Sequence, residues 1–454
     1  MNSDSRAWPF PAPPPRSLAA SPYFIPIRDA IVSALDAAHP ARAVERALFR
    51  TERTLSIDQI QMNLDDVSRI RVIGGGKGAQ SMAAALFGLL GAHLETGAVV
   101  IKQGEIASAH TTGPIEVMEG AHPIPDESSL TAARAMLDLS ANLSPRDLVF
   151  VVISGGASAL LTLPSPPLRL SDLQQTTDIL IRAGIDIAAI NTVRKHLSAI
   201  KGGNLARHIH PARFITLILS DVVGDPIDAI GSGPTVPDDT TYADSLRILE
   251  QAHLFHKLPA RVRAHLQAGV NGARPDTPFS HHPAFSHGTS HIIGGNRTAA
   301  EAAAATFRQH GFETRLHTSL TGEARVVGRR LVQNTPRSDS PSVQVFGGET
   351  TVTVTGHGKG GRNQELALSA AHAMRERSNM LLITIATDGG DGPTDAAGAI
   401  ATPTTLERGA SRDLSLESHL ENNNAYPFFD AIGDLLITGP TRTNVADLTF
   451  LVSW

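Results

Sequence analysis

At 454 residues and a net charge of −5, the chain is longer than one hydrophobic core ordinarily organises, and two domains are expected. With 41% hydrophobic and 18% charged residues it reads as globular, and without a Lys/Arg-rich run it shows no footprint for nucleic acid. The absence of cysteine excludes disulfides, thiolate chemistry and Cys-ligated zinc, and no apolar run reaches the ~18–20 residues a membrane-spanning helix needs.

The opening "MNSDSRAWPFPAPPPRSLAASPYF", residues 1–24, is broken by prolines and has no apolar signal core. A disordered extension and a cytoplasmic location are expected. From Ile25, apolar residues at three- and four-residue spacing in "IRDAIVSALDAAHPARAVERALFR" predict helix. Short apolar runs then alternate with Ala/Leu-rich helical stretches: "RIRVIG", "GAVVIK", "IEVMEG", "DLVFVVIS", "RFITLILS", "HIIGG", "SVQVFGG", "TTVTVTG" and "LLITIATDG" read as strands. This alternation predicts α/β layering with mostly parallel sheets. The Pro-, Gly-, Ser- and His-rich stretch 269–290 reads as a linker or loop between a larger N-terminal domain (25–268) and a C-terminal one (291–454). His281, His282 and His287 lie there without a carboxylate at matching spacing, so a solvated loop is the expectation rather than a metal site.

One device recurs four times. "VIGGGKGAQSMAAAL", "VISGGASALL", "IIGGNRTAAEAAAA" and "VFGGETTVTV" each set a glycine pair directly after an apolar strand. Glycines admit close approach of a phosphate, and a following helix offers free N–H groups and a positive dipole end. On this basis Gly75, Gly76, Ser154, Gly155, Gly156, Ser158, Gly294, Gly295 and Asn296 are candidate nucleotide contacts, although tight βα turns alone explain any single case. Gly74, Gly76 and Ala79 also fit G-x-G-x-x-A, the dinucleotide fingerprint. Its acidic partner is misplaced: Glu95 precedes the next strand, which ends at Lys102. What stands out is Lys77, a cation at the head of a helix.

Acids follow two strands. Asp221 closes "RFITLILSD", where α/β proteins bind ligands, and can take a hydroxyl proton or bind Mg²⁺. Asp225 and Asp228, just beyond, read as capping or loop residues. Asp388, Asp391 and Asp395 follow "LLITIAT" without the ligand order of a calcium loop. Arg194 and Lys201, seven apart, share a helix face and are candidate contacts for the carboxylate of a small acid, with plain surface charge explaining them almost as well. "GHGKGGRNQE" lacks Walker spacing. It reads as a loop that brings Arg362 to a helix start, its glycines leaving room for an anion.

In series, "GGGKGA", "EGAHPIPDESS", "ISGGASALL", "INTVRKHLSAIKGG", "LSDVVGDPIDAIGSGPTVPD", "GGETTVTVTGHGKGGRNQELAL", "ATDGGDGPTDAAGA" and "LLITGPTRTNVADL" resemble the two-domain glycerate 2-kinase family, whose C-terminal half is called the MOFRL domain. The resemblance runs from about Ile25 to the C-terminus. It implies a Rossmann-like N-terminal domain with a mostly parallel sheet, a smaller α/β C-terminal domain, and an active site in the cleft between them. It implies transfer of the γ-phosphoryl group of ATP to the 2-hydroxyl of D-glycerate with Mg²⁺. It marks Lys77, Asp221, Glu349 and Arg362 as catalytic or substrate-contact residues. Phosphoryl transfer would use Lys77 and Arg362 as fixed cations for phosphate or carboxylate, and Glu349 or Asp221 to orient the hydroxyl or hold Mg²⁺; Asp221 and Asp388 are the candidate metal ligands. No nucleic-acid or membrane partner is expected, and a homodimer is left open. An NAD(P)-dependent hydroxypyruvate reductase is the alternative. The chain departs from the family pattern at Gly78, Ala157, Arg442 and Ala446; the last two stand where glycine and asparagine are usual.

Overall fold

A computed structural model describes residues 7–106, 111–336 and 340–454; the first six residues of the proline-rich opening lie outside it. The chain divides into two compact units that are not sequential. The first comprises 40–220 and 225–293; the second comprises the residues up to 39, 221–224 and 294–454.

In the first unit, a small antiparallel sheet of β1 (Leu48–Arg50), β2 (Thr54–Ile57) and β3 (Ile60–Asn63) comes first. The main sheet holds β4 (Ile70–Gly75), β5 (Leu94–Lys102), β6 (Thr111–Thr112), β7 (Ile115–Gly120), β8 (Leu148–Ile153), β9 (Arg213–Leu219) and β10 (Gly288–Gly294). Their order is β10-β9-β8-β4-β5-β7-β6. Strands β4, β5, β7, β8 and β9 run parallel, and β6 is antiparallel to β7. The continuous apolar runs of β8 and β9 are buried along almost their whole length, as strands covered on both faces must be. The chain winds outward from β4 through β5 and β7, then returns to build β8 and β9 on the other side. The order therefore reverses between β4 and β8, and ligands of open α/β sheets bind outside the carboxyl ends at such a point.

The second unit carries β11 (Glu313–Leu320), β12 (Ser342–Gly348), β13 (Met380–Ala386), β14 (Gly398–Ala401), β15 (Leu435–Leu436) and β16 (Asp447–Ser453), in the order β11-β12-β16-β13-β14-β15. Only β11 and β12 pair in parallel, so this sheet is mixed rather than mostly parallel. Its fully buried central strand β16, "DLTFLVS", is absent from the strands expected from sequence. The expected strand "TTVTVTG" is not one. Thr351 N–H goes to Gly322 O in an isolated bridge, but beyond it the donors go to side chains, Thr353 N–H to Glu323 and Thr355 N–H to Asn423.

Helix Phe24–Ala38 belongs to this second unit. Its buried Ala30, Ile31 and Ala34 face a helix, Asn296–Gln309, that is itself small-residue on its buried side. Disorder expected up to residue 24 is likewise corrected from Ala7 onward. The Trp8 ring packs on Phe10 and Phe24, and Ser17 donates its N–H and O–H to the buried Asp434. Proline breaks helices but does not prevent such anchoring.

The two departures from the family pattern in the last loop both adopt left-handed backbone, Arg442 at φ 61° and Ala446 at φ 62°. Glycine tolerates that region without the Cβ clash a substituted residue meets. Arg442 is exposed, so Arg442→Gly removes strain at little packing cost. It should stabilise the second unit by about 0.5–1 kcal/mol, read in a thermal melt as a Tm rise of about 1–4 °C.

Candidate active site

The turn after β4 is made by close main-chain approach. Gly74 and Gly76 lie at φ 144° and 132°, and a Cβ on either would collide with Val152 or Ser154 of the β8 segment. A Cβ on Gly75 would come within 2.6 Å of Val100 Cγ1. Hydrogen bonds seal the contact: Lys77 N–H donates to Gly155 O at 2.8 Å, Gly78 N–H to Ser154 Oγ at 2.9 Å, and Ala79 N–H to Gly76 O at 3.0 Å. These are donors that a dinucleotide fingerprint would turn to a pyrophosphate. Here they are spent inside the protein, as is the N–H of Gly76, which donates to Val100 O at 3.0 Å. The turn also carries the Lys77 side chain, a cation at the head of the following helix. The N–H groups of Gly155 and Gly156, by contrast, have no hydrogen-bond partner among the described residues. Beside Gly156 stands His122, which the sequence reading passed over; burial pushes its imidazole pKa down, with Lys77 and Lys102 adding to the effect.

Farther along the β8 segment, helix Ala157–Leu160 presents Ser158 to two cations from the next part of the chain. Arg194, in the last turn of helix Ile187–His196, donates to Ser158 Oγ at 2.6 Å. Lys201 Nζ donates to Ser158 O at 2.6 Å, Ser158 Oγ at 3.1 Å and Leu161 O at 3.3 Å. The sequence reading placed Ser158 with the nucleotide contacts and the two cations with the substrate; the structure groups all three. Lys201 is 2% exposed. Neither cation has a carboxylate partner among the described residues. Burial drives the Lys201 pKa well below the usual lysine value, and the neighbouring Arg194 charge lowers it further; burial also lowers that of Arg194. The adjacent Lys195 is different: it lies 3.4 Å from both Asp228 and Asp238, which gives Asp228 a partner rather than a purely solvated role.

In the second unit the charge balance is reversed. Arg362 opens helix Arg362–Met374 and grips Asp447 with two parallel bonds, Nε to Oδ2 at 2.5 Å and Nη2 to Oδ1 at 2.9 Å. Its Nη1 lies 2.9 Å from Glu349 Oε1. Arg362, expected as a fixed cation for phosphate or carboxylate, is here held by two carboxylates of the chain itself. Burial pushes the Glu349 carboxyl up; Arg362 opposes the shift, while Asp447, Asp221 and Asp388 reinforce it. Asp447 was missed by the sequence reading, although it sits in the quoted "TRTNVADL" and opens the central strand β16. Asp391 is 1% exposed and accepts the N–H groups of Asn363 at 3.1 Å and Gln364 at 2.9 Å. It thus caps the helix that carries Arg362. Gly361 makes this possible, since a Cβ there would collide with the Asp391 carboxylate.

The glycines of "GHGKGG" serve the chain rather than an anion. Asn422, Asn423 and Asn424 clamp the loop: their side-chain oxygens accept from the N–H groups of His357, Gly356 and Lys359, each at 2.9 Å. Asn422 O accepts from Gly358 N–H at 2.9 Å. A Cβ on Gly356 or Gly358 would strike this asparagine run. Asn296 is also structural in its contacts: its amide donates to Val445 O and Asp447 O, both at 2.8 Å. Gly294 and Gly295 lead into its helix.

Burial holds the Asp391 carboxyl up at about 7, against the pull of its two N–H donors. Because this value lies above that of the unfolded chain, the folded state binds the extra proton below it, and stability is lost as pH rises from about 4 to 7. Urea unfolding of the native protein and of Asp391→Asn across that range should show the native protein losing stability relative to the variant as pH rises. Parallel curves would contradict this.

Residues 26–267 match a family model described as a domain of unknown function, DUF4147, and residues 342–447 match the MOFRL family. A glycerate 2-kinase of Pyrococcus horikoshii is 39% identical over 92% of this chain and 94% of its own. A protein of Agrobacterium vitis named as a putative hydroxypyruvate reductase is 39% identical over 90% and 93%. The crystal structure of a glycerate kinase from Thermotoga maritima superposes with a TM-score of 0.82 at 35% identity, covering 94% of this chain and 98% of that one. By sequence and by fold, this chain belongs to the glycerate 2-kinase family.

Proposed function

We propose that the chain phosphorylates D-glycerate, moving the γ-phosphoryl group of ATP to the 2-hydroxyl to give 2-phospho-D-glycerate and ADP. The observation that carries this reading is the Arg194–Lys201–Ser158 cluster. Two largely buried cations with only neutral oxygens around them suit the carboxylate of a small hydroxy acid. Lys77, with the unpartnered N–H groups of Gly155 and Gly156, suits the triphosphate, whose dispersed charge calls for preorganised donors. Glu349, held by Arg362 and raised by burial, is the base that accepts the hydroxyl proton as that oxygen attacks phosphorus and the bond to the ADP oxygen breaks.

Among the described residues no three His, Asp or Glu side chains converge as a metal cage. Nucleotide-bound magnesium ordinarily takes one or two carboxylates besides phosphate oxygens. Asp221 and Asp388, which both press on the charge of Glu349, fit that need. The ion would neutralise charge on the phosphates.

The reductase reading has the G-x-G-x-x-A match and the names of two relatives in its favour. Against it stand the spent donors of that turn and Lys102 at the end of β5, with Glu95 at the far end paired to Arg71 at 3.0 Å. Phosphorus NMR of the protein with D-glycerate, ATP and Mg²⁺ should show 2-phosphoglycerate growing with ADP. Lys77→Ala should lower kcat about 10²–10³-fold. Oxidation of NADH by hydroxypyruvate, without any phosphorylated product, would overturn the reading.

A further inference from the structure

With Lys201 protonated, Ser158 Oγ accepts from Arg194 and from Lys201, and in that state both groups only donate. A hydroxyl has two acceptor sites and one proton, so its own proton must go elsewhere. The partner in reach is Ser232 Oγ at 2.9 Å, which in turn donates to Asn191 Oδ1 at 3.3 Å. The chain therefore has one direction: cations to Ser158, Ser158 to Ser232, Ser232 to Asn191. Once it is formed, the Ser158 hydroxyl cannot rotate, and the two cations it receives are fixed in place.

Ser232 occupies its place under strain. Gly231, Ser232 and Gly233 all have left-handed φ, at 59°, 61° and 58°, and Ser232 is completely buried. The turn is bolted to the loop after Lys201, with Gly202 N–H donating to Ser232 O at 2.9 Å and Gly203 N–H to Gly233 O at 2.7 Å. Glycine is the residue this backbone favours, as its two neighbours show. A serine between them carries a conformational cost that only its hydroxyl offsets.

We infer that Ser232 is a positioning residue for substrate binding: through Ser158 it orients Arg194 and Lys201 toward the carboxylate of the acceptor. The inference rests on the reading of that cluster as the carboxylate site. Ser232→Ala and Ser232→Gly delete the same hydroxyl but differ in backbone strain, so they separate positioning from stability. Both variants should raise the KM for D-glycerate about tenfold and by similar factors. The KM for ATP should stay within about twofold, and Ser232→Gly should melt about 2–4 °C above Ser232→Ala. Arg194→Ala tests the underlying reading. If it leaves the glycerate KM unchanged, the carboxylate site itself is misassigned. If it raises that KM while the serine variants do not, or if the glycerate defect follows the melting temperatures, the role given to Ser232 alone is overturned.

Discussion

Two like charges converge on one serine oxygen in the first unit, and no carboxylate among the described residues balances them. Burying a charge without a partner costs free energy, and setting a second cation beside it costs more. A fold keeps such an arrangement when an anion completes it. Much of the surrounding chain holds the arrangement in place: helix Ile187–His196 delivers Arg194, the Gly202–Gly203 turn follows Lys201, and the strained Gly231–Gly233 turn fixes the serine from behind. The glycine contact between β4 and β8 sets the position of the segment that carries Ser158.

The second unit solves the opposite problem. Its one guanidinium at this site is outnumbered by Asp447 and Glu349, with Asp221 and Asp388 adding negative charge that Glu349 feels. Arg362 therefore acts less as an anion receptor than as a clamp that fixes two carboxylates. Asp391 fixes Arg362 in turn, by capping its helix. A base pushed upward by burial and an excess of acid suit proton acceptance and a divalent cation, whereas the first unit suits anions.

The parts of this picture that depend on local pattern were legible in the sequence. Continuous apolar runs located β4, β5, β8, β9 and β13, and the glycine pairs marked the turns where they end. Lys77 was singled out in one of those turns, Arg194 and Lys201 on a helix face and Arg362 at a helix start, whereas Glu349 came only from the resemblance to the family. What the sequence did not disclose is pairing over long separations. Nothing local says that Asn422–Asn424 will occupy the donors of "GHGKGG", that Asp447 will face Arg362, or that Ser232 will meet Ser158. Those partners decide whether a glycine loop receives a ligand or another stretch of chain, and whether a cation is bare or balanced. Alternation misled at "TTVTVTG" for the same reason, since side chains supply the acceptors that a neighbouring strand would have offered.

Lys201 is the group on which the account turns, because its buried charge is what calls for an anion. Thermal melts of the native protein and of Lys201→Met, each with and without saturating D-glycerate, test this directly. The account predicts that D-glycerate raises the Tm of the native protein and leaves that of Lys201→Met unmoved. An equal shift in both proteins would show that the acceptor's carboxylate binds elsewhere.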